Sequence, residues 1–295
     1  MRALEKHTNG NDRCWPARGW LGLILVTVCW PLNWILPGVR TSYLFFPLWL
    51  GYILVVDALV QKRTGNSFWT RSRRDFLLLF AISAPVWWLF ELINLRTANW
   101  EYLGREAVNP FEFNLLATIS FSIVVPAVFE TADLMRSFRW IDRFASGPRV
   151  PVTRAVFVGL FVVGLAMLSA MLVWPELFYP FAWISLVLIV EPINYWSGRP
   201  YFLKNLRVGD WRTVVSLAVG ALVCGFFWEM WNYYSFPKWS YHIPALDFLR
   251  IFEMPLLGYG GYISFALELY ALKNFIWPNG PRLESQSRSR EPRKA

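Results

Sequence analysis

Apolar stretches of roughly 20 residues recur along this chain between short polar loops, the pattern that carries helices across a lipid bilayer. Eight such stretches are read, at 20–37, 43–60, 76–95, 112–134, 152–174, 179–197, 213–234 and 249–272. The first has the look of a secretion signal. No small-residue cleavage site follows it, however, and its counterpart at 152–174 is internal, so it reads as a retained helix kinked at Pro31. The fold class expected is an all-α integral membrane protein with eight transmembrane helices.

The apolar pattern is written twice. Residues 226–241 read FFWEMWNYYSFPKWSY and residues 88–102 read WLFELINLRTANWEY, so Glu91, Asn94, Trp100 and Tyr102 answer Glu229, Asn232, Trp239 and Tyr241. In each copy an Asn follows the Glu by about one helical turn on the same face. Trp49 and Asp57 likewise match Trp183 and Glu191, FEFNLL at 111–116 matches FEMPLL at 252–257, and Phe129–Glu130 matches Leu267–Glu268. The units expected are a cytosolic leader (1–18), a first four-helix membrane repeat (19–135), a basic cytosolic linker (136–151), a second four-helix repeat (152–275) and a basic disordered tail (276–295). An even number of spans in each half makes the repeats like-oriented, with a pseudo-twofold axis along the membrane normal.

Composition changes the picture little. Hydrophobic residues make up 56% of the chain and charged ones 17%, and mean hydropathy is positive. The net charge of +9 needs no nucleic acid, because the basic residues gather in alternate loops. Of the 29 Lys and Arg, only Arg40, Arg96, Arg105, Lys238 and Arg250 fall in loops read as outer. By the positive-inside rule both termini then face the cytoplasm, in a bacterial inner membrane.

The duplicated acids fall in two layers. Glu91 and Glu229 lie in the last outer turns of spans three and seven, where the helix dipole opposes an anion. Glu112 and Glu253 are expected to open spans four and eight, where the dipole favours one. Carboxyls held in such opposed settings are how a site assigns acid and base, so these four are the candidate catalytic residues. Helix capping is the plainer reading of Glu112 and Glu253. Asn94 and Asn232, with Trp228, Trp231, Trp88, Tyr241 and Tyr102, are the candidate substrate-binding residues; ordinary interhelical hydrogen bonding is the plainer role of the two asparagines. An inner acid layer of Asp57, Glu191, Glu130 and Glu268 lies near the cytoplasmic ends, within reach of loop arginines. Intramembrane acids of this kind usually face the protein interior.

Three scattered cysteines and two histidines suggest no disulfide framework, no metal site and no haem, and no cofactor is expected. The aromatic content of 18% suits an interfacial belt, but the rings beside the acids would also hold a carbocation. In that logic the chain resembles membrane-embedded lycopene cyclases and related terpenoid cyclases. Their Pro–x–Glu–Glu/Asp segment is missing, Glu191–Pro192 having the reverse order, so no membership follows. As a whole the chain resembles a bacterial multi-pass family known only as uncharacterised, which implies no activity. Three functions stand: an acid–base enzyme on a lipid or isoprenoid, a carrier for a lipid or cation, and a non-catalytic scaffold. The absence of a clearly unwound helix pair counts against the carrier.

Overall fold

The computed structural model describes residues 14–243 and 248–283. The expected leader and tail therefore lie, at 1–13 and 284–295, outside the described residues. The described chain is mainly helical. Helix α1 (Ala17–Ile35) packs along α2 (Arg40–Thr64); a short α3 (Phe68–Arg71) leads into α4 (Arg73–Thr97), strand β1 (Trp100–Leu103), α5 (Pro110–Phe121) and α6 (Val124–Arg136). The second half runs through α7 (Arg154–Val173), short α8 (Pro175–Phe178), α9 (Ser185–Trp196), short α10 (Leu203–Arg207), α11 (Arg212–Tyr233) and strand β2 (Lys238–Tyr241). It closes with strands β3 (Arg250–Ile251) and β4 (Met254–Pro255) and helix α12 (Gly261–Ile276).

Five helical runs are long and apolar enough to cross a membrane: α2, α4, α5 with α6, α7 and α11. A sixth is reached if the segment 175–183 and α9, bent by 43°, count as one. This is the make-up of an integral membrane protein. Helix α1, which carries Arg18 and a buried Asn33, and the 16-residue α12 do not meet the same measure. One apolar cluster runs through both halves, from Trp49 and Phe76 to Trp231 and Phe265.

Three expected spans are interrupted, and each interruption has a local cause. The fourth breaks between α5 and α6, where Pro126 has no N–H to give the carbonyl of Ser122. Ser83 on α4 bridges the gap, donating to the carbonyl of Phe121 (2.6 Å) and accepting from the amide of Val125 (3.0 Å). The sixth begins as a 3₁₀ turn over Tyr179–Trp183, containing Pro180, and becomes α-helical only at Ser185.

The eighth departs furthest from expectation. Glu253 does not open a helix: it sits in the turn between the antiparallel strands β3 and β4, with Phe252 at φ 58°. The matched FEFNLL is helical because Asn109 caps α5 and Pro110 takes its first position. At the second copy Arg250 and Ile251 replace that pair, and Pro255 removes an N–H that a helix would need. Gly258–Tyr–Gly–Gly261, expected within the eighth span, mostly forms a 3₁₀ segment ahead of α12. Helices broken near mid-span were held to be absent; they are present.

Candidate functional site

Each copy of the duplicated motif folds into the same clamp. After α4 ends, the chain turns back as β1, and Asn94 grips it: Nδ2 donates to the carbonyl of Trp100 (2.7 Å), and Oδ1 accepts from the amide of Asn99 (2.8 Å). After α11, Asn232 does the same for β2, donating to the carbonyl of Trp239 (2.7 Å) and accepting from its amide (3.0 Å). The asparagines thus hold their own following strands and do not bond between helices, as had been expected. A side-chain amide can do this because it offers one donor and one acceptor in a plane, as a backbone neighbour would.

The glutamates fasten the far ends of the strands. Glu91 Oε1 accepts from the hydroxyl of Tyr102 (2.5 Å), from Trp87 Nε1 (3.0 Å) and from Trp100 Nε1 (3.1 Å). Glu229 Oε1 accepts from the hydroxyls of Tyr241 (2.7 Å) and Tyr262 (2.8 Å), while its Oε2 is buried with no hydrogen-bond partner among the described residues. Burial first, and then the adjoining glutamate charge, pushes the phenols of Tyr102 and Tyr241 well above their ordinary value. They therefore remain donors.

The two clamped strands pair with each other. Strands β1 and β2 run antiparallel, Trp100 opposite Tyr241 and Tyr102 opposite Trp239, so exchanging the two copies leaves the register unchanged. Gly104, at φ 85°, lets the other copy close in: a Cβ there would lie 2.5 Å from the ring of Phe236. The other matched rings also cross between halves. Trp49 packs on Trp228, the residue before Glu229 (5.0 Å between centroids), and Trp183 stacks on Phe90, the residue before Glu91 (5.6 Å).

Beside this pair of strands lies a cavity of about 580 Å³. Its wall is largely aromatic and includes Trp87, Trp100, Trp183, Trp228 and Phe265, with Tyr102, Tyr241 and Tyr262 bringing in the phenols that the glutamates hold. Apolar walls with a few convergent polar groups are the common form of a ligand pocket.

Of the expected site residues, Trp228, Tyr102 and Tyr241 border this cavity. Glu91 and Glu229 stand behind their tyrosines. Trp231 is buried against Trp30 and Trp49, and Trp88 is partly exposed, bonded to Thr118 (3.1 Å). Glu112 lies in the first turn of α5, bonded to Tyr43 and to Asn109 Nδ2 (3.0 Å), and Glu253 pairs with Lys238. Tyr262, Trp183 and Lys238 were missed as site residues. Trp183 was already matched to Trp49, whereas Tyr262 lies 33 residues beyond Glu229 with no motif to mark it.

The inner acids serve local structure. Asp57 accepts from the amide of Trp69 (3.1 Å) and Glu191 from the amide of Leu203 (3.0 Å), each at the start of the short helix that follows, α3 or α10. Asp57 also pairs with Arg18 (2.5 Å). Glu268 receives the amide of Leu186 (3.1 Å) and so caps the late-starting α9. Glu130, fully buried, has neither carboxyl oxygen hydrogen-bonded among the described residues. Of these four, Asp57 has an arginine partner, Arg18, which lies in the first turn of α1 and not in a loop between spans.

Fold and site together define a helical membrane protein with an aromatic cavity beside two interlocked strands. No protein-family profile matches the chain, and neither a curated protein nor a solved structure is similar to it. Among the described residues no three His, Cys, Asp or Glu side chains gather closely enough to hold a metal.

Proposed function

We propose that this chain is an eight-span protein of the bacterial inner membrane, made of two like-oriented four-helix repeats with both termini in the cytoplasm. In this reading it is an enzyme performing acid–base chemistry on a lipid or isoprenoid. The repeat is supported by the self-matching register of β1 and β2, and by the capping of α3 and α10 by Asp57 and Glu191. Like orientation is supported by the same pairing, since α4 and α11 must end at one face for their following strands to meet.

The observation that carries the enzyme reading is the cavity, whose aromatic wall contains the phenols bonded to buried Glu229. The hydrogen bonds run from phenol to carboxylate. A proton taken from a bound substrate by the oxygen of Tyr241 or Tyr262 is matched by the phenol's own proton passing to Glu229 Oε1. The reverse shift returns it, and no phenolate accumulates. Glu91 with Tyr102 is the second such pair.

The test compares the lipids of cells making the wild-type chain, Glu229→Gln or no protein. Gln keeps the shape and an acceptor but cannot take the proton, so turnover should fall about 100-fold or more, the usual size of a general acid–base contribution, in a protein that still folds. A carrier is the second reading, and the interrupted helices favour it. It would leave lipid structures unaltered and change only their distribution between leaflets. Full activity in Glu229→Gln together with misfolding of Glu229→Leu would leave Glu229 a structural role, and lipids unaltered in both content and distribution would leave a scaffold.

A further inference from the structure

Lys238 is the one charged side chain among the described residues that border the cavity. It projects from β2, and its Nζ makes an ion pair with Glu253 Oε1 and lies 3.4 Å from the carbonyl of Tyr233. Glu253 Oε2 is in turn 3.7 Å from Arg250 Nη1. Two cations therefore share one carboxylate at this end of an otherwise neutral, aromatic chamber. All three side chains keep some contact with solvent, 25% for Lys238, 14% for Glu253 and 34% for Arg250. Thr41, whose hydroxyl accepts from the amide of Phe236 (2.8 Å), and Ser42 border the cavity close to the same strand.

Resting on the reading of the cavity as a lipid site, we infer that its ligand is an amphiphile with an anionic oxygen head group, phosphate or carboxylate, bound at Lys238. The apolar chain lies along Trp87, Trp183 and Phe265. A lone lysine in an aromatic wall is an expensive feature unless a charge answers it. Glu253 answers it here, and Arg250 is placed to take over Glu253 when a ligand oxyanion engages Lys238. A cavity of about 580 Å³ lies within the range that encloses a small organic ligand. The matched acid of the first half, Glu112, is met by Tyr43 and Asn109 and, among the described residues, by no cation, so the head-group end is fixed on the side of the second half.

The test uses two probes with the same chain and different heads, farnesyl phosphate and farnesol. Each is titrated by tryptophan quenching into full-length protein in a nonionic detergent. The phosphate should bind roughly tenfold or more tightly than the alcohol, the scale of one charge-assisted hydrogen bond. Lys238→Gln should erase the difference, and Lys238→Arg should retain it. Glu253→Gln frees Lys238 and should widen the gap; were the ion pair only a tie between β2 and the β3–β4 turn, this change would weaken binding of both probes alike. Equal affinity of the two probes, or a difference that survives Lys238→Gln, overturns the head-group assignment while the apolar cavity stands. Binding of neither probe removes both. Displacement of farnesyl phosphate by millimolar inorganic phosphate assigns the cation to a free anion and overturns the amphiphile.

Discussion

Two helix contacts that the repeated sequence makes equivalent differ sharply in the folded protein. Where α6 meets α11 the backbones nearly touch: a Cβ on Gly220 would lie 2.8 Å from the amide nitrogen of Ala132. Counting from the glutamate pairs, the positions matching Gly220 and Ala132 are Ile82 on α4 and Tyr270 on α12. There α4 and α12 approach less closely, and the aromatic cavity lies towards this side, with Trp87 and Phe265 in its wall. Small residues let helices seat against one another, and bulky ones hold them apart. The duplicated framework thus yields one sealed seam and one chamber, decided by a few side-chain volumes.

The inner ends of the halves differ in a second way, and this contrast is the easiest to break. Asp57 has Arg18 beside it, whereas the matching Glu191 relies on backbone amides of α10. Arg18→Ala strands a fully buried carboxylate and should cost about 3 kcal/mol or more, since removing one partner of a buried pair leaves an uncompensated charge. Arg18→Ala with Asp57→Asn should recover much of that loss, and thermal unfolding of the purified protein measures both. A single-variant loss below about 1 kcal/mol would mean that the two halves are alike at this end.

Next in size is the seam itself. Gly220→Leu drives a side chain into the backbone of α6 and should destabilise by about 2–3 kcal/mol, the range for overpacking. Ile82→Leu, which puts the same side chain at the matching position of the open contact, conserves volume and should cost less than about 1.5 kcal/mol. Equal losses in the two variants would remove side-chain volume as the origin of the chamber.

The clamps give a smaller, graded contrast. Asn232 is almost completely buried, while Asn94 is half-buried. Asn232→Ala leaves backbone groups of β2 unpaired away from water and should cost about 2 kcal/mol, against about 1 kcal/mol for Asn94→Ala. The reverse order in unfolding experiments would mean that β1, and not β2, carries the pairing.

The smallest expected effect is one of pH. Tyr102 and Tyr241 ionise in the folded protein well above the ordinary phenol value of about 10. Their contribution is complete below about pH 10 and is lost only as the pH rises towards the folded values. Melting temperature should therefore show no phenol-linked change between about pH 7 and about pH 9, with loss beginning in stronger alkali. Loss already near neutral pH would uncouple these phenols from the clamp.

Much of this was legible in the residues and some was not. The apolar periodicity located the helices, and the repeated Glu–x–x–Asn with Trp–x–Tyr marked the strands and acids around the cavity. That the two Trp–x–Tyr segments pair with each other was hidden, because four residues carry too little alternation to announce a strand beside long helical signals. FEMPLL matched FEFNLL in its apolar letters, yet Pro255 and the lost Asn–Pro cap outweighed them. The layers of acids were visible as pairs. Which of them meet a lysine, a tyrosine or an amide depends on chain returns such as that of Tyr262, which no local spacing encodes. The chamber itself rests on differences between the halves, whereas the sequence comparison had been built on their likeness.

The pairing of β1 with β2 also bears on the order of synthesis. Their partner segments leave the ribosome far apart, and at ordinary elongation rates β1 waits on the order of ten seconds for β2. Throughout that interval its outer edge would be open to any other extended chain. The clamp that shapes it is already complete, because Glu91, Asn94, Trp87 and Tyr102 all belong to the first half. The early strand is therefore held straight and half satisfied by its own helix, as a socket waiting for its plug. A chain released before residue 238 would carry that socket unfilled, and one released just after β2 would still lack α12, which brings Tyr262 to Glu229.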